Sequence, residues 1–110
     1  MKLPNGDRAV VDIAKLRDYC LNRGHPRGKH KARVFSTALG LTDVDAEALQ
    51  SELADVAKTS EAMKSDADEF GQRYVIDFPM VGPTGSARVR CTWIIRTDED
   101  FPRLTSCYRL

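Results

Sequence analysis

From Phe70 to the end of the chain, apolar residues recur at every second position, and this spacing limits the possible folds more than any other feature. Strict alternation is typical of strands with one buried face. It predicts three antiparallel strands over about 70–80, 87–96 and 102–108, joined by short turns. In the last strand it predicts two faces, one with Leu104, Ser106 and Tyr108 and the other with Arg103, Thr105 and Cys107.

Before Phe70 the apolar residues follow helical spacing. It predicts three helices over about 13–22, 29–39 and 43–59, with Asp12 and Thr42 as N-caps of the first and third. The segment 60–69 is polar, acidic and only weakly periodic, so we expect a loop there, with one helical turn as the alternative.

This order of elements predicts an α+β fold, in which three N-terminal helices pack on a C-terminal antiparallel sheet of three to four strands. One face of the sheet is expected to lie under the helices and the other to carry polar residues. A chain of 110 residues supports one core, so residues 1–110 are expected to form a single domain.

Composition indicates where such a chain works. Charged residues make up 30% of the chain, and it contains neither a long apolar run nor a signal-peptide core. We therefore expect a cytoplasmic protein without a membrane partner, or the clipped tail of something larger. Cys20, Cys91 and Cys107 have no metal-binding spacing and are expected to be buried thiols.

The net charge of +1 conceals an uneven distribution. Residues 1–40 carry nine Lys and Arg against three Asp and Glu, residues 41–70 carry two against nine, and residues 71–110 carry six against four. Such a distribution favours a dipolar surface that steers an anionic ligand to one face. The alternative is that the basic and acidic parts pair with each other in the fold.

The basic part centres on the stretch His25-Pro-Arg-Gly-Lys-His-Lys-Ala-Arg33, which contains both histidines. Pro26 and Gly28 predict a loop that runs into the first turn of the second helix. Free backbone N–H groups at a helix start, together with Lys and Arg, suit a phosphate or carboxylate. A merely solvated basic loop is the alternative.

These residue types fit metal-free cleavage of a phosphodiester. That reaction needs a base for the ribose 2′-hydroxyl, an acid for the leaving 5′-oxygen and a cation for the phosphorane. The candidate catalytic residues are His25, His30, Lys31, Thr105 and Tyr108, and the candidate substrate-binding residues are Arg27, Lys29, Arg90, Thr92 and Trp93. The alternatives are a turn-capping role for His25 and a core position for Tyr108 and Trp93. Motifs for a metal or a nucleotide loop are missing from the sequence, so neither a metal nor a cofactor is predicted.

The motifs His25-Pro-x-Gly-x-x-Lys31-Ala-x-x-Phe35, Leu39-Gly40, Arg73-Tyr-Val, Gly82-Pro-x-Gly85, Val89-Arg-x-x-Trp93 and Arg103-Leu-Thr-x-x-Tyr108 span nearly the whole chain. Together they resemble a family of small bacterial domains of unknown function, which occur alone and as C-terminal modules of toxin-like proteins. The element order is also similar to that of the barnase–EndoU–colicin–RelE group of toxin ribonucleases. The chain end, Ser106-Cys-Tyr-Arg-Leu110, departs from the family pattern.

This resemblance implies a metal-independent endoribonuclease that acts on cellular RNA, with tRNA as one candidate, and that is neutralised by a cognate antitoxin or immunity protein. It also implies that such a domain can be delivered into a target cell as the C-terminal part of a larger toxin. By motif position it supports His25, Lys31, Trp93, Thr105 and Tyr108, whereas His30 rests on its chemistry. Two other functions remain open: a non-catalytic partner-binding module of a toxin–antitoxin or effector–immunity pair, and an RNA-binding domain that does not cleave.

Overall fold

The computed structural model describes residues 1–17 and 39–110. Its four strands are β1 (Met63–Asp68), β2 (Gly71–Gly82), β3 (Gly85–Arg96) and β4 (Arg103–Arg109), which form one antiparallel sheet in sequential order. The α-helical elements are a short turn, α1 (Ile13–Lys15), and a 14-residue helix, α2 (Ala46–Thr59). Short 3₁₀ segments lie at Gly6–Arg8 and Asp43–Asp45.

The β2–β3 hairpin is the centre of the sheet. Its pairing runs without interruption from Gly71 opposite Arg96 to Gly82 opposite Gly85, so opposed residues share a face along the whole hairpin. Alternation places the apolar side chains on the face toward α2. The buried residues of that face are Tyr74, Ile76, Phe78, Met80, Val89, Cys91 and Trp93.

Helix α2 covers this apolar face because its own apolar residues recur at helical spacing. Ala46, Leu49, Leu53, Val56 and Ala57 are buried in one cluster with the apolar face of the sheet. The start of the helical segment is held by Asp45, whose side chain accepts the backbone N–H of Thr42 at 2.9 Å. The structure thus confirms a helical segment over 43–59, as a 3₁₀ turn followed by α2, but the N-cap of α2 is Asp45 and not the predicted Thr42.

Pro79 lies inside β2 without breaking the sheet. Strand β1 pairs with β2 only from Gly71 to Val75, so beyond Val75 the outer edge of β2 has no neighbour among the described residues. Proline cannot donate to a sheet ladder and is tolerated where that side of the strand is unpaired. A proline within a strand predicts either a sheet edge or a bulge, and Pro79 lies at an edge.

The chain next to the β2–β3 turn approaches that turn very closely. A Cβ atom added at Gly82 would lie 2.1 Å from the backbone oxygen of Leu39, and one added at Gly40 would lie 2.7 Å from Oγ1 of Thr84. Gly40 also has a φ of 73°, a left-handed conformation that favours glycine. The two glycines allow residues 39–40 to pack against the hairpin turn.

The N-terminal segment pairs with β4, at the opposite edge of the sheet from β1. The backbone N–H of Val10 donates to Pro102 at 2.9 Å, and its carbonyl accepts from Leu104 at 3.0 Å, so Val10 pairs in parallel with the start of β4. Asp12 then caps α1 by accepting the N–H of Ala14 at 2.9 Å. The predicted N-cap role of Asp12 is confirmed, and it fixes where the chain enters α1.

The predicted fold class, three N-terminal helices packed on a sheet, is wrong. Within residues 1–17 and 39–110, the structure is mostly a four-stranded antiparallel sheet, and α2 is the single helix longer than seven residues. The predicted helix over 13–22 is present only as α1 within the described residues, and the predicted helix over 29–39 lies outside them apart from Leu39. The similarity to the barnase–EndoU–colicin–RelE group rested on that element order and is therefore not supported.

The predicted loop over 60–69 is also wrong, because β1 occupies Met63–Asp68. All six residues of β1 are exposed, so the strand has no apolar face to produce an alternating pattern. It forms through main-chain pairing with β2, interrupted by a register shift between Lys64 and Ala67.

Within the described chain, no helix has the length and apolar character that crossing a membrane requires.

Candidate functional site

The sheet face turned away from α2 carries a row of polar side chains that crosses three strands. We call this set the polar face and define it by Asp77 of β2, Arg90 and Thr92 of β3, and Thr105, Ser106 and Tyr108 of β4. Arg90 is paired in the sheet with Asp77 on one side and with Tyr108 on the other, and Thr92 is paired with Ser106. All six residues are partly buried, which holds their side chains in place while leaving polar atoms accessible.

Arg90 is the cation of the polar face, and its side chain is held in a defined orientation. Its Nε donates to Oδ1 of Asp77 at 2.7 Å, and a terminal nitrogen donates to Oδ2 at 2.9 Å, which is the two-point geometry that suits a guanidinium. These hydrogen bonds lower the pKa of Asp77 and raise the pKa of Arg90, to which a hydrogen bond with Tyr108 also contributes. Arg90 is therefore held between a carboxylate and a phenol in a defined orientation.

A β-bulge in β4 gathers three hydroxyl groups beside this arginine. Thr92 lies opposite Ser106 while Trp93 lies opposite Leu104, so Thr105 is the extra residue in β4. Oγ1 of Thr92 lies 2.6 Å from Oγ1 of Thr105 and 2.9 Å from Oγ of Ser106. One hydroxyl of β3 thus contacts two consecutive hydroxyls of β4.

The bulge also shows that the predicted faces of the last strand are wrong. Leu104 and Cys107 are buried with the core, although alternation placed them on opposite faces. The inserted residue shifts the alternation by one position, because side chains on either side of a bulge no longer follow a single period of two. Because of this shift, the side chains of both Thr105 and Ser106 reach Thr92.

Trp93 lies on the opposite side of the sheet from the polar face. Its side chain is fully buried, and the indole N–H donates to Sγ of Cys91 at 3.2 Å. Burial also raises the pKa of the Cys91 thiol to about 12, so this sulfur stays protonated at neutral pH. We leave both residues out of the candidate site because their side chains belong to the core.

Apart from Trp93, which is buried in the core, the predicted site residues divide into two groups. Arg90, Thr92, Thr105 and Tyr108 come together on the polar face. The other group, His25, Arg27, Lys29, His30 and Lys31, lies outside the described residues, so their positions relative to the polar face stay predictions. Within residues 1–17 and 39–110, no three His, Cys, Asp or Glu side chains cluster as a metal-binding group.

Two residues of the polar face were missed in the sequence. Asp77 had a usable signal, because the tight turn at 82–85 sets the hairpin register and places Asp77 opposite Arg90. Ser106 had no such signal, since its side chain reaches this face only through the bulge. A bulge depends on how β3 and β4 pair and leaves no fixed mark in a polar sequence.

The described residues thus form a four-stranded antiparallel sheet with α2 on its apolar face and a hydroxyl-rich polar face, which holds the Asp77–Arg90 pair, on the other side. The chain belongs to the family described as domain of unknown function DUF6883, which matches residues 2–110. This agrees with the resemblance to a family of domains of unknown function, whereas the signature around His25 stays a prediction.

One solved structure with a similar fold is the contact-dependent growth inhibition toxin–immunity protein complex from Klebsiella pneumoniae 342. The match to a chain of that complex has a TM-score of 0.68 and 18% sequence identity. It covers 94% of the present chain and 95% of the matched chain. At this level of identity the similarity is one of fold. No curated protein matches the sequence.

Proposed function

We propose that this chain is a toxin-type endoribonuclease that cleaves cellular RNA by metal-independent general acid–base catalysis. The observation that carries the proposal is the fixed arginine of the polar face. Arg90 is oriented by Asp77 and lies beside Tyr108 and the hydroxyls of Thr92, Thr105 and Ser106. A preorganised cation next to hydrogen-bond donors is what a phosphorane transition state requires.

In this mechanism one histidine of the basic stretch removes the proton from the ribose 2′-hydroxyl. The 2′-oxygen then attacks phosphorus and forms a 2′,3′-cyclic phosphate, while the bond from phosphorus to the 5′-oxygen breaks. The second histidine gives its proton to that 5′-oxygen. His25 and His30 fill these two roles, and Arg90, Lys31 and the hydroxyl of Tyr108 stabilise the charge on phosphorus. Arg27 and Lys29 bind the flanking phosphates.

Fold similarity supports a place in a toxin–immunity pair, since the similar structure is a complex of a growth-inhibition toxin with its immunity protein. For this chain we propose the toxin role, with RNA in the cytoplasm of the target cell as substrate and a cognate immunity protein as partner. The basic stretch 25–33, together with the guanidinium that Asp77 orients at Arg90, favours this role over the inhibitory one, because a phosphate-bearing substrate needs positive charge.

The test is cleavage of total RNA and of tRNA by the purified chain, with and without EDTA. We expect cleavage that survives chelation, leaves cyclic phosphate ends and is lost in the double variant His25→Ala, Lys31→Ala. Expression of the wild type is expected to arrest growth, and expression of the double variant is not. Intact RNA and normal growth with the folded wild type would refute the nuclease function.

A non-catalytic partner-binding module is the second candidate. Strand β1 favours it, because all six of its residues are exposed at the edge of the sheet and its flanks carry Glu61 and Glu69. An exposed edge strand is a common docking element. This function predicts that the wild type is harmless when expressed and leaves purified RNA unchanged. RNA binding without new RNA ends would instead indicate a binding domain.

A further inference from the structure

A small cleft lies where the N-terminal segment passes the end of β3 and the start of β4, next to the polar face. Its volume is about 110 Å³, and its polar lining comes from Asp12, Lys15, Arg96, Arg103 and Thr105. Pockets for drug-sized ligands have volumes of about 300 to 1,000 Å³, so this cleft is too small for a nucleotide and suits a single anionic group.

The cleft is continuous with the hydroxyls of the polar face. Nζ of Lys15 lies 3.5 Å from the backbone oxygen of Thr105. The side-chain Oγ1 of Thr105 in turn contacts Oγ1 of Thr92. Arg96 lies on the same side of β3 as Arg90 and Thr92, because the three residues are separated by even numbers of positions. A row of donors therefore leads from Arg90 to the cleft.

The charge available to a ligand comes from Lys15 and Arg96. Arg103 is ion-paired with Glu99, which accepts two hydrogen bonds of 2.8 Å from its guanidinium, so this pair adds no net charge to the cleft. Among the described residues, no carboxylate forms an ion pair with Lys15 or Arg96. Asp12 is the one acidic residue of the lining, and its Oδ1 already accepts the N–H of Ala14. Lys15 and Arg96 together outweigh the carboxylate of Asp12, so the cleft keeps a net positive charge for an anion.

We propose that this cleft is a second phosphate site, which binds the RNA backbone away from the scissile phosphate held at Arg90. This inference rests on the proposed function. Arg90 and Ile94, which lines the cleft, are four residues apart on β3, or about 13 Å at about 3.3 Å per residue. That distance corresponds to about four nucleotides at a stacked rise of about 3.4 Å. A dinucleotide is too short to reach both places, and an octanucleotide reaches both.

The experiment compares two substrates and two double variants of the full chain. Lys15→Gln, Arg96→Gln removes the cations of the cleft and keeps most of each side-chain stem. Lys58→Gln, Lys64→Gln is the matched control, because it removes two exposed lysines from the side of the sheet that α2 covers. Circular dichroism and thermal unfolding establish that both variants fold.

For the octanucleotide, the cleft variant is expected to lower kcat/KM about 10-fold, as for loss of a charged hydrogen bond. For a dinucleotide it is expected to equal the wild type. On a non-cleaving His25→Ala, Lys31→Ala background, the slope of log affinity against log salt should fall by about 0.7, the value for one phosphate contact on a single strand. The control should match the wild type in all three measurements.

Three results would overturn the second site. An octanucleotide rate equal to that of the wild type would refute the site while leaving the nuclease function intact. An equal loss on both substrates would mean a general charge effect. A wild type that neither binds nor cleaves RNA would refute the nuclease function and this site together. If the cleft variant then also failed to bind an acidic immunity protein that the wild type binds, the cleft would be assigned to that interface.

Discussion

Thr92 and Thr105 hold the bulge of β4 through a contact between their side-chain hydroxyls, whose oxygens lie 2.6 Å apart. The same oxygen of Thr92 also contacts Ser106 at 2.9 Å. The hydroxyl of Thr92 therefore links β3 to both residues of the bulge. The position of the polar face depends on this link, because the bulge decides which residues of β4 lie beside Arg90.

Thr92→Val is expected to lower the free energy of unfolding by about 1 to 2 kcal/mol, since it keeps the branched shape and leaves two partly buried hydroxyls without their partner. Thr92→Ser keeps the hydroxyl and is the matched control, with a smaller expected loss. Urea denaturation of the two variants measures the difference. Equal stability of Thr92→Val and the wild type would show that the hydroxyl contacts do not hold the bulge.

Arg90→Gln is expected to reduce kcat for RNA cleavage about 100-fold, as for removal of one preorganised group that stabilises a developing anion. Arg88→Gln is the comparison, because Arg88 is exposed, lies on the same side of β3 and is paired with Pro79 in place of a carboxylate. The rate for Arg88→Gln should stay within about threefold of the wild type, as for loss of one exposed charge. Similar losses in both variants would point to general electrostatic attraction.

Asp77→Asn is expected to make the protein less stable at pH 7 and less dependent on pH in the acid range. The hydrogen bonds from Arg90 lower the pKa of Asp77 in the folded state. A group with a lowered folded pKa adds stability above its unfolded pKa of about 3.9, and this stability is lost as the pH falls through the folded pKa. Wild type and variant should therefore converge only in the acid range, as the pH falls through the lowered folded pKa of Asp77.

Urea denaturation between pH 7 and pH 2.5 measures this convergence. Glu52→Gln is the control, because Glu52 is an exposed residue of α2 with no ion pair among the described residues, and its profile should follow the wild type. A constant difference in stability between Asp77→Asn and the wild type over the whole pH range would contradict the role given to this carboxylate.

Gly82→Ala is expected to destabilise the fold by about 1 to 3 kcal/mol or more, the usual cost of overpacking. The new methyl group would meet the backbone oxygen of Leu39, which is not a movable side chain. Ser86→Ala, at an exposed position near the same turn, should change stability by less than about 0.5 kcal/mol. Thermal unfolding compares the two, and equal melting temperatures would mean that Leu39 does not pack on the turn.

Cys91 and Cys107 are expected to resist thiol reagents in the native protein. Both side chains are fully buried, and burial raises the pKa of Cys91 to about 12, so almost no thiolate is present at pH 8. In a Cys20→Ser variant, an aromatic disulfide reagent should label no thiol before denaturation and two thiols afterwards. Rapid labelling of either residue in the folded state would show that the core opens.

Local sequence signals were enough for several parts of the fold. Alternation located β2 and β3, the turn at 82–85 lies where Gly82-Pro-Thr-Gly85 predicted it, and apolar spacing located α2. These predictions succeeded because each pattern reflects burial of one face of a single element. Arg90 and Thr92 were assigned to the face away from the core by the same rule.

Signals of this kind failed where pairing between strands decides the structure. The exposed residues of β1 gave no pattern, because the strand is held by main-chain hydrogen bonds to β2. The faces of β4 were wrongly predicted after Leu104, because the bulge at Thr105 adds a residue that sequence alternation does not reveal.

The sequence by itself determined which segments bury apolar surface, where the central hairpin turns and which residue types are available for phosphate chemistry. These properties are local, since each depends on the spacing of residues within one segment. Only the tertiary structure decided that Asp77, Arg90 and Tyr108 form one row across three strands and that the bulge brings Thr105 and Ser106 to Thr92. The physical reason is that strand register is fixed jointly by the pairing partners and the packed core, and residues distant in sequence become neighbours only when both are in place.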